Sequence, residues 1–407
     1  MRDDTAGDGS RVLIVGGGPA GLLLALALER AALPVTLIEA EAAAAVLQAP
    51  FDGRALALMQ GSRRVLDALG LWRLCASDAA PVWRVQVEDR CSGASIAYDA
   101  RELGAQPFGY GIENRVLRQR LLAAALERPG ISLVAARLDR IERSAGRIGV
   151  RLEDGRRLTG RLLVGADGRG STVRARAGIA LDRWRYAQTA LTFALRHRAA
   201  GEPQVREYLR PAGPLALLPL RPGLSSVTWI ERESTAPSLL QSTPDELLEA
   251  LAGQLGAEVA PLEILGRPTA YPLCGQRARR FAAPRAALVG DAAHTVHPIH
   301  AQGFNLGVRD VAALAEVLAD AARAGQDLGS GEVLMRYDRW RQADARLVVG
   351  LTDGLNRLFS TDLLPARLLR RLGLGALGHL APLRHLAMRR GMGVAGDLPR
   401  LARGEAL

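Results

Sequence analysis

The stretch RVLIVGGGPAGLLLALALERAALPVTLIEA, residues 11–40, decides the fold. Its apolar start predicts a buried strand, its glycines a turn, its Leu/Ala run a helix, and its β-branched end a second strand. This order is one βαβ unit, and such units build α/β domains around a mostly parallel sheet. We therefore predict a Rossmann-like domain at the start of the chain.

Three glycines of this unit occupy the positions of a G-x-G-x-x-G turn: Gly16, Gly18 and Gly21. The first permits a tight turn, the second lets a pyrophosphate approach the backbone, and the third lets the helix pack on the strand. The N–H groups that begin the helix can then bind phosphate. Glu39 ends the second strand, where its carboxylate can accept hydrogen bonds from the hydroxyls of an adenosine ribose. The pattern predicts a dinucleotide site, but FAD and NAD share their ADP half, and it does not choose between them.

The composition is that of an ordinary globular protein: 407 residues, 48% hydrophobic and 23% charged, with a formal net charge of +11. Such a charge raises nucleic acid or an anionic membrane as partners. However, every basic residue is Arg, and aromatic residues make up only 4%, too few for stacking on bases. We expect no nucleic-acid partner.

The three cysteines, Cys75, Cys91 and Cys274, form no C-x-x-C pair and indicate a reducing compartment, with the thiols as core residues. The polar N-terminus lacks the order of a secretory signal. Residues 12–28 are uncharged but are broken by glycines and a proline, so we expect no transmembrane helix.

Later segments predict a second kind of structure. Residues 81–98 suggest a strand pair, a helix is expected over Ser62–Leu69 with the serine as its cap, and short strands with prolines from about 181 to 275 predict an antiparallel sheet. At 286–294 the sequence AALVGDAAH returns to a buried strand. We therefore expect a discontinuous nucleotide domain, a substrate domain and a C-terminal helical region, with these boundaries: 1–80, 100–180 and 276–360; 81–99 and 181–275; and 361–407.

The stretch GDAAHTVHPIHAQGFNLGVRD, residues 290–310, places His294, His297 and His300 three apart. One helix face carrying three histidines could bind zinc. Pro298 argues against this, because it removes a backbone donor and disfavours helix at His297. No cysteine or glutamate lies near enough in sequence to complete a ligand shell, and we expect no metal.

A cofactor loop explains the same stretch better. The strand delivers Asp291 to the carboxyl edge of the sheet, where it can bind sugar-alcohol hydroxyls, and residues 294–302 can cover a flat ring. The N–H groups near 303–305 begin a helix and can stabilise negative charge on that ring. This arrangement suits an isoalloxazine better than a nicotinamide.

Taken together, the motifs resemble the FAD-dependent aromatic monooxygenases of the para-hydroxybenzoate hydroxylase type. The resemblance rests on GGGPAG with its acid, on ENRVLRQRL, on GADGRGSTVR at 165–174, and on GDAAH…HP…QGFNLG…D. The finer resemblance, carried by DGRALALMQGSRRVLDALGLW, GPLALLPL and the C-terminal sequence, is to the 2-polyprenyl-6-methoxyphenol hydroxylases of ubiquinone biosynthesis (UbiH-like).

The resemblance implies FAD as cofactor, NAD(P)H and O₂ as co-substrates, and hydroxylation of the aromatic ring of a polyprenylated phenol. It implies that FAD contacts Gly16, Gly18, Pro19, Ala20, Gly21, Glu39, Arg54, Arg115, Asp167, Asp291, Pro298, Ala301, Gly303, Phe304 and Asn305. It places His297, Pro298 and His300 at the reactive edge as catalytic candidates. His300 is bulky where the family has Gly or Ala, and it either contacts the reacting groups or points outward.

Two other functions stay open: a hydroxylase of a soluble aromatic compound, and a flavin-binding scaffold in a biosynthetic complex. Residues 363–396 contain six arginines and no acid among many leucines. Such a segment can lie on an anionic membrane or a partner of a ubiquinone-biosynthesis complex, or it can pack back on the protein. We expect a cytoplasmic protein, with peripheral attachment at the inner face of the plasma membrane as the option.

Overall fold

A computed structural model describes residues 11–144, 146–199, 201–256, 258–361 and 363–407. The N-terminal ten residues, whose composition argued against a secretory signal, lie outside the described residues. In the described part, no helix is both long enough and apolar enough to cross a membrane.

The strands, in chain order, are β1 Val12–Val15, β2 Val35–Glu39, β3 Ala55–Met59, β4 Ala80–Val82, β5 Arg84–Asp89, β6 Ser95–Asp99, β7 Gly109–Glu113, β8 Ile131–Ala135, β9 Leu138–Ser144, β10 Arg147–Leu152, β11 Arg157–Gly160, β12 Leu162–Gly165, β13 Leu181–Ala199, β14 Val205–Leu209, β15 Leu215–Arg221, β16 Leu224–Arg232, β17 Val259–Ala278, β18 Ala282–Ala283, β19 Ala286–Leu288 and β20 His294–Thr295.

The α-helices are α1 Pro19–Arg30, α2 Ala43–Leu47, α3 Gln60–Ala68, α4 Asn114–Leu126, α5 Thr172–Arg176, α6 Ala236–Gln241, α7 Pro244–Ala252, α8 Gln302–Arg323, α9 Gly331–Phe359, α10 Leu364–His379, α11 Ala381–Gly391 and α12 Arg400–Arg403. Short 3₁₀ turns include residues 290–292 and 299–301.

The first sheet has the order β18-β19-β12-β1-β2-β8, and all of its strands are parallel except the edge strand β18. Its central strands are uncharged and buried, as strands covered on both faces must be. The predicted βαβ unit is confirmed as β1-α1-β2. Gly16 has φ +109°, and an added Cβ would lie 2.3 Å from the Ala166 carbonyl oxygen, so this turn requires glycine.

The second large sheet has the order β20-β17-β13-β16-β15-β14-β5-β6 and is antiparallel except where β14 meets β5. It confirms the predicted antiparallel sheet and the strand pair near 81–98, which is β5 and β6. Smaller sheets are β3-β7-β4 and β9-β10-β11. The fold is therefore mixed α/β, with a Rossmann-like parallel sheet, an antiparallel sheet and C-terminal helices.

The strand β20 links the two large sheets. Its residues His294 and Thr295 follow the end of β19 and pair with Arg277 and Gln276 of β17. The division of the chain into a nucleotide domain and a substrate domain at 81–99 and 181–275 stays a prediction.

The prediction for Ser62 as a helix cap is wrong. Helix α3 begins at Gln60, so Ser62 lies inside its first turn, and its buried hydroxyl donates to Asn305 Oδ1 at 2.8 Å. The signal was ambiguous because Ser favours caps yet also bonds tertiary partners.

Part of the C-terminal segment packs on the rest of the protein, and part of it is exposed to solvent. Arg370 of α10 is buried, pairs with Asp89 at 3.2 Å and donates to backbone carbonyls, so it is not part of a basic surface. Five leucines here are exposed to solvent: Leu363, which precedes α10, and Leu364, Leu368, Leu369 and Leu372 of that helix.

Candidate functional site

The first edge of the site is the turn between β1 and α1. A Cβ on Gly21 would lie 1.9 Å from the Gly16 carbonyl oxygen, so helix and turn pack without space for a side chain. Gly18 is different, because a Cβ there would meet no atom within 4 Å. Helix α1 also has no side-chain cap, which leaves the N–H groups that follow Pro19 open. The turn is therefore an open cradle of backbone donors, as an anionic group requires.

Glu39 stands beside this cradle at the end of β2. One carboxylate oxygen accepts a short hydrogen bond from the Gly17 N–H, and the other accepts from the Glu41 N–H at 2.8 Å. Arg118 of α4, which sequence reasoning missed, donates to the Gly17 carbonyl at 3.0 Å and lies 3.6 Å from Glu39. Its i, i+3 spacing from Arg115 was the available signal.

Arg54 and Arg115 are brought together by the pairing of β3 with β7. Strands β3 and β7 pair so that Asn114 donates its N–H to the Arg54 carbonyl at 3.1 Å. The Arg54 side chain bonds Asp52 at 2.6 Å, and Arg115 bonds Glu113 at 2.9 Å. Their contact with a cofactor stays a prediction.

Asp167 follows β12, the strand between the two glycine edges. Its carboxylate accepts from the Ser171 hydroxyl at 2.5 Å and the Val173 N–H at 3.1 Å. It thereby fixes the start of α5. A contact between Asp167 and the cofactor stays a prediction, since both oxygens already have protein partners.

The second edge follows β19 at Gly290 and Asp291. Gly290 has φ +61°, which turns the chain and leaves the Asp291 side chain exposed in the cleft. Protein atoms nevertheless crowd this carboxyl. The resulting desolvation raises the pKa of Asp291, with His294 and Arg169 opposing the shift.

Asp310 of α8 holds the second edge in place. Its buried carboxylate accepts from the Gly290 N–H at 3.1 Å, from His294 Nε2 at 2.6 Å and from Arg341 Nε at 2.7 Å. Burial alone would raise the pKa of Asp310, but His294 and Arg341 outweigh it and lower that pKa. The sequence analysis quoted this aspartate as part of the motif without giving it a role.

His297 is completely buried in the loop after β20. The Ile299 N–H donates to its Nδ1, so the ring proton resides on Nε2 and is donated to Gln188 Oε1, both at 3.3 Å. Burial lowers the pKa of His297 to about 4, despite the nearby carboxylates of Glu207 and Asp353. Neither ring nitrogen is open, and we therefore assign His297 in our proposal to positioning the loop.

The next residues turn sharply into α8. His300 and Ala301 have φ of +59° and +50°, a left-handed conformation that is uncommon outside glycine. Both residues are exposed, while Pro298 and Gly303 are half-buried. Helix α8 has no side-chain cap, so its first N–H groups are open like those of α1.

Asn305 does not present its side chain to the cleft. The buried amide accepts from the Met59 N–H at 2.9 Å and donates to the Ala57 and Ala301 carbonyls at 2.8 and 2.9 Å. The side chain therefore joins β3 to the loop, and contact of Asn305 with the flavin stays a prediction.

The three histidines do not converge. His294 bonds Asp310, His297 bonds Gln188, and His300 contacts Glu207. Across the residues that the structure describes, no group of three or more His, Cys, Asp or Glu side chains is placed to hold a metal ion.

The two glycine edges face the same way. Strands β1 and β19 are parallel and separated only by β12, so their carboxyl ends lie about 10 Å apart. Helices α1 and α8 pack together, with both uncapped N-termini beside this gap. Two anion-accepting turns, an acid at each edge and a free cradle at Gly18 fit one elongated dinucleotide with a negatively polarised ring.

Comparison with known proteins agrees with this geometry. Residues 10–352 match the family described as FAD binding domain. The chain therefore belongs to the FAD-dependent monooxygenases that share this domain, and FAD is its cofactor.

Among similar proteins, the ubiquinone hydroxylase UbiL of Rhodospirillum rubrum is 40% identical, over 97% of this chain and 93% of that protein. The 3-demethoxyubiquinol 3-hydroxylase of Escherichia coli is 33% identical, over 95% and 99%. The p-nitrophenol 4-monooxygenase PnpA from Pseudomonas putida has the same fold, with a TM-score of 0.80 at 20% identity, over 96% of this chain and 99% of that one.

Proposed function

We propose that the protein hydroxylates the aromatic ring of a polyprenylated phenol in ubiquinone biosynthesis, with NAD(P)H as electron donor and O₂ as oxygen source. The similarity to ubiquinone hydroxylases along nearly the whole chain carries this proposal. Bound flavin supplies the redox chemistry that side chains lack. The residues of the chain bind the cofactor, orient the phenol, exclude water and transfer protons.

In this proposal Gly18 and Glu39 hold the ADP half of FAD, and Asp291 binds its ribityl hydroxyls. The open N–H groups at the start of α8 stabilise negative charge on the ring. His297 stiffens the loop over which the substrate ring would lie. The buried bonds of Asp310 and Asn305 keep this loop at a fixed distance from the sheet.

The exposed face of α10 gives a route for a lipid-like substrate. Leu372, the most exposed of its leucines, has 71% of its surface in water, and exposed Arg367 and Arg371 lie on the same helix. Leucines beside arginines match the chemistry of an anionic bilayer surface. We propose that α10 rests on the cytoplasmic face of a membrane.

The buried face of α10 leads toward the site. Leu374 packs in one cluster with Ile299 of the cofactor loop and with Val87 and Ile96 of the antiparallel sheet. A prenyl chain leaving the membrane at α10 would therefore meet apolar side chains next to the loop. This adjacency supports a prenylated rather than a soluble phenol.

Product analysis tests the reaction. The FAD-loaded protein, NADPH and O₂ are incubated with 2-farnesylphenol or with 4-hydroxybenzoate, and products are identified by mass spectrometry. We expect a farnesylphenol carrying one added oxygen, and faster NADPH oxidation with that phenol than with the benzoate. A preference for the benzoate would favour a soluble substrate, and no product with either would favour a scaffold.

Vesicle binding tests the α10 surface. Leu368→Glu with Leu372→Glu should weaken binding to vesicles containing phosphatidylglycerol by about tenfold, because two apolar contacts become anionic. Leu262→Glu changes an exposed leucine elsewhere and is the control. Equal binding by both proteins would remove α10 as the membrane surface.

A further inference from the structure

A buried carboxylate lies against the cofactor loop without a role in the reaction described so far. Glu207 projects from β14 with only 4% of its side chain exposed, and its Oε2 lies 3.2 Å from His300 Nδ1. This contact fixes the orientation of the His300 ring.

The contact with Glu207 falls on a residue that has an unusual backbone conformation. A left-handed residue other than glycine is strained, and two occur in succession here. Histidine tolerates this region better than most residues. The contact with Glu207 holds the His300 side chain in place, so the pair is built into the turn that begins α8.

The contact also sets the state of the imidazole ring. With Nδ1 turned to Glu207, the other nitrogen, Nε2, is the one left for a ligand, and 41% of the side chain is exposed. No hydrogen bond within the described part of the chain engages Nε2. Desolvation alone would lower the pKa of His300, but the charge and hydrogen bond of Glu207 outweigh it and raise that pKa.

Other titratable groups around the pair do not compete for this role. His297 is buried and neutral, with Asp353 of α9 on its far side. Tyr98 of β6 faces Glu207, and burial raises the pKa of its phenol, with Arg384 of α11 partly opposing the shift. Desolvation would raise the pKa of Glu207, but His300 outweighs it and lowers that pKa, so the acid stays ionised.

We propose that Glu207 and His300 form a proton-accepting pair for the phenolic hydroxyl of the substrate, an inference that rests on the proposed function. The phenolic O–H bond breaks, its proton bonds to Nε2 of neutral His300, and the electron pair stays on the phenolic oxygen. Glu207 stabilises the imidazolium that results. The phenolate ring is richer in electrons than the phenol and reacts faster with an electrophilic oxygen.

Ionisation of a bound phenol tests this directly, without turnover. The probe is 2-farnesylphenol with ¹³C at the hydroxyl-bearing carbon, bound to the FAD-loaded protein in the absence of NAD(P)H, and its chemical shift is followed against pH. Glu207→Gln removes the charge. His300→Asn tolerates the left-handed backbone but cannot take the proton. Glu263→Gln, an exposed acid of β17, is the control.

We expect the acidity of the bound phenol to fall by about tenfold or more in Glu207→Gln and His300→Asn, and to stay unchanged in Glu263→Gln. In turnover, the rise of kcat/KM with pH should move to lower pH in Glu207→Gln, since His300 loses its carboxylate. Visible absorbance of bound FAD shows that each variant is folded.

An unchanged phenol titration in both pair variants would overturn the inference while leaving hydroxylation intact. Absence of hydroxylated product in the wild type would instead contradict the proposed function. A wild-type protein that does not bind the phenol would contradict both.

Discussion

The two edges of the proposed cofactor cleft are built by different means. The edge after β1 consists of backbone: Gly16, Gly18 and Gly21 make room, and α1 offers uncapped N–H groups. The edge after β19 consists of buried side chains, chiefly Asp310 and Asn305, that tie a loop to the sheet and to α3. Glycine turns are specified locally, whereas the second edge is specified by contacts between residues far apart in sequence.

The difference predicts where the protein is vulnerable. The second edge should respond to removal of polar groups, because a buried partner is left unpaired. The first edge should lose stability or FAD affinity when atoms are added at its glycines, because its packing and its phosphate cradle leave no room for side chains there. The following changes test this contrast.

Asp310→Ala should have the largest effect. It leaves Arg341 and His294 buried without their shared carboxylate, and we expect the free energy of unfolding to fall by about 3–5 kcal/mol. Denaturant unfolding measures it. Glu263→Ala breaks a pair exposed on both sides and should cost about 1 kcal/mol or less. Similar losses in the two variants would contradict the role given to Asp310.

Gly21→Ala and Gly18→Ala should separate stability from binding at the first edge. Gly21→Ala should destabilise the protein by about 3 kcal/mol, because its Cβ meets a backbone oxygen that cannot move aside. Gly18→Ala should leave unfolding unchanged within about 0.5 kcal/mol yet weaken FAD binding. Unfolding curves measure the stability of each variant, and FAD titrations measure its affinity. A Gly18→Ala variant that is destabilised but binds FAD normally would contradict the role of Gly18 in the phosphate cradle.

His297 predicts a pH effect at the second edge. Its pKa is about 4 in the folded protein and 6.5 ordinarily, so below pH 6.5 the unfolded chain takes up a proton that the folded chain refuses. The free energy of unfolding should therefore decrease as the pH is lowered, by about 2 kcal/mol between pH 7 and pH 5 from this group. His297→Gln should lose this component in unfolding measured at both pH values. If the variant has the same pH dependence as the wild type, His297 does not contribute to the loss of stability at low pH.

Ser62→Ala should have the smallest effect on stability at the second edge, about 1 kcal/mol, because Asn305 keeps its bond from the Met59 N–H when the hydroxyl is lost. Ser238→Ala, an exposed serine of α6, is the control for urea unfolding. A loss of more than about 3 kcal/mol would contradict this, because it would exceed the contribution of the single hydrogen bond to Asn305.

This contrast also explains what the sequence could predict. The βαβ unit, the antiparallel sheet and the anion-binding turns were predictable, since glycine spacing and apolar runs act locally. The roles of Asp310, Asn305 and Arg118 were not, because each depends on partners that only the folded chain brings near. The Glu207–His300 contact joins residues 93 positions apart, and no local sequence pattern predicts it.

The central claim is that both edges hold one FAD, and calorimetric titration of FAD and ADP tests it most directly. Gly18→Ala should weaken both ligands, because both need the pyrophosphate cradle. Asp291→Ala should weaken FAD by about tenfold or more and leave ADP unchanged. FAD binding that is indifferent to Asp291, or an equal loss of ADP binding in that variant, would contradict the account.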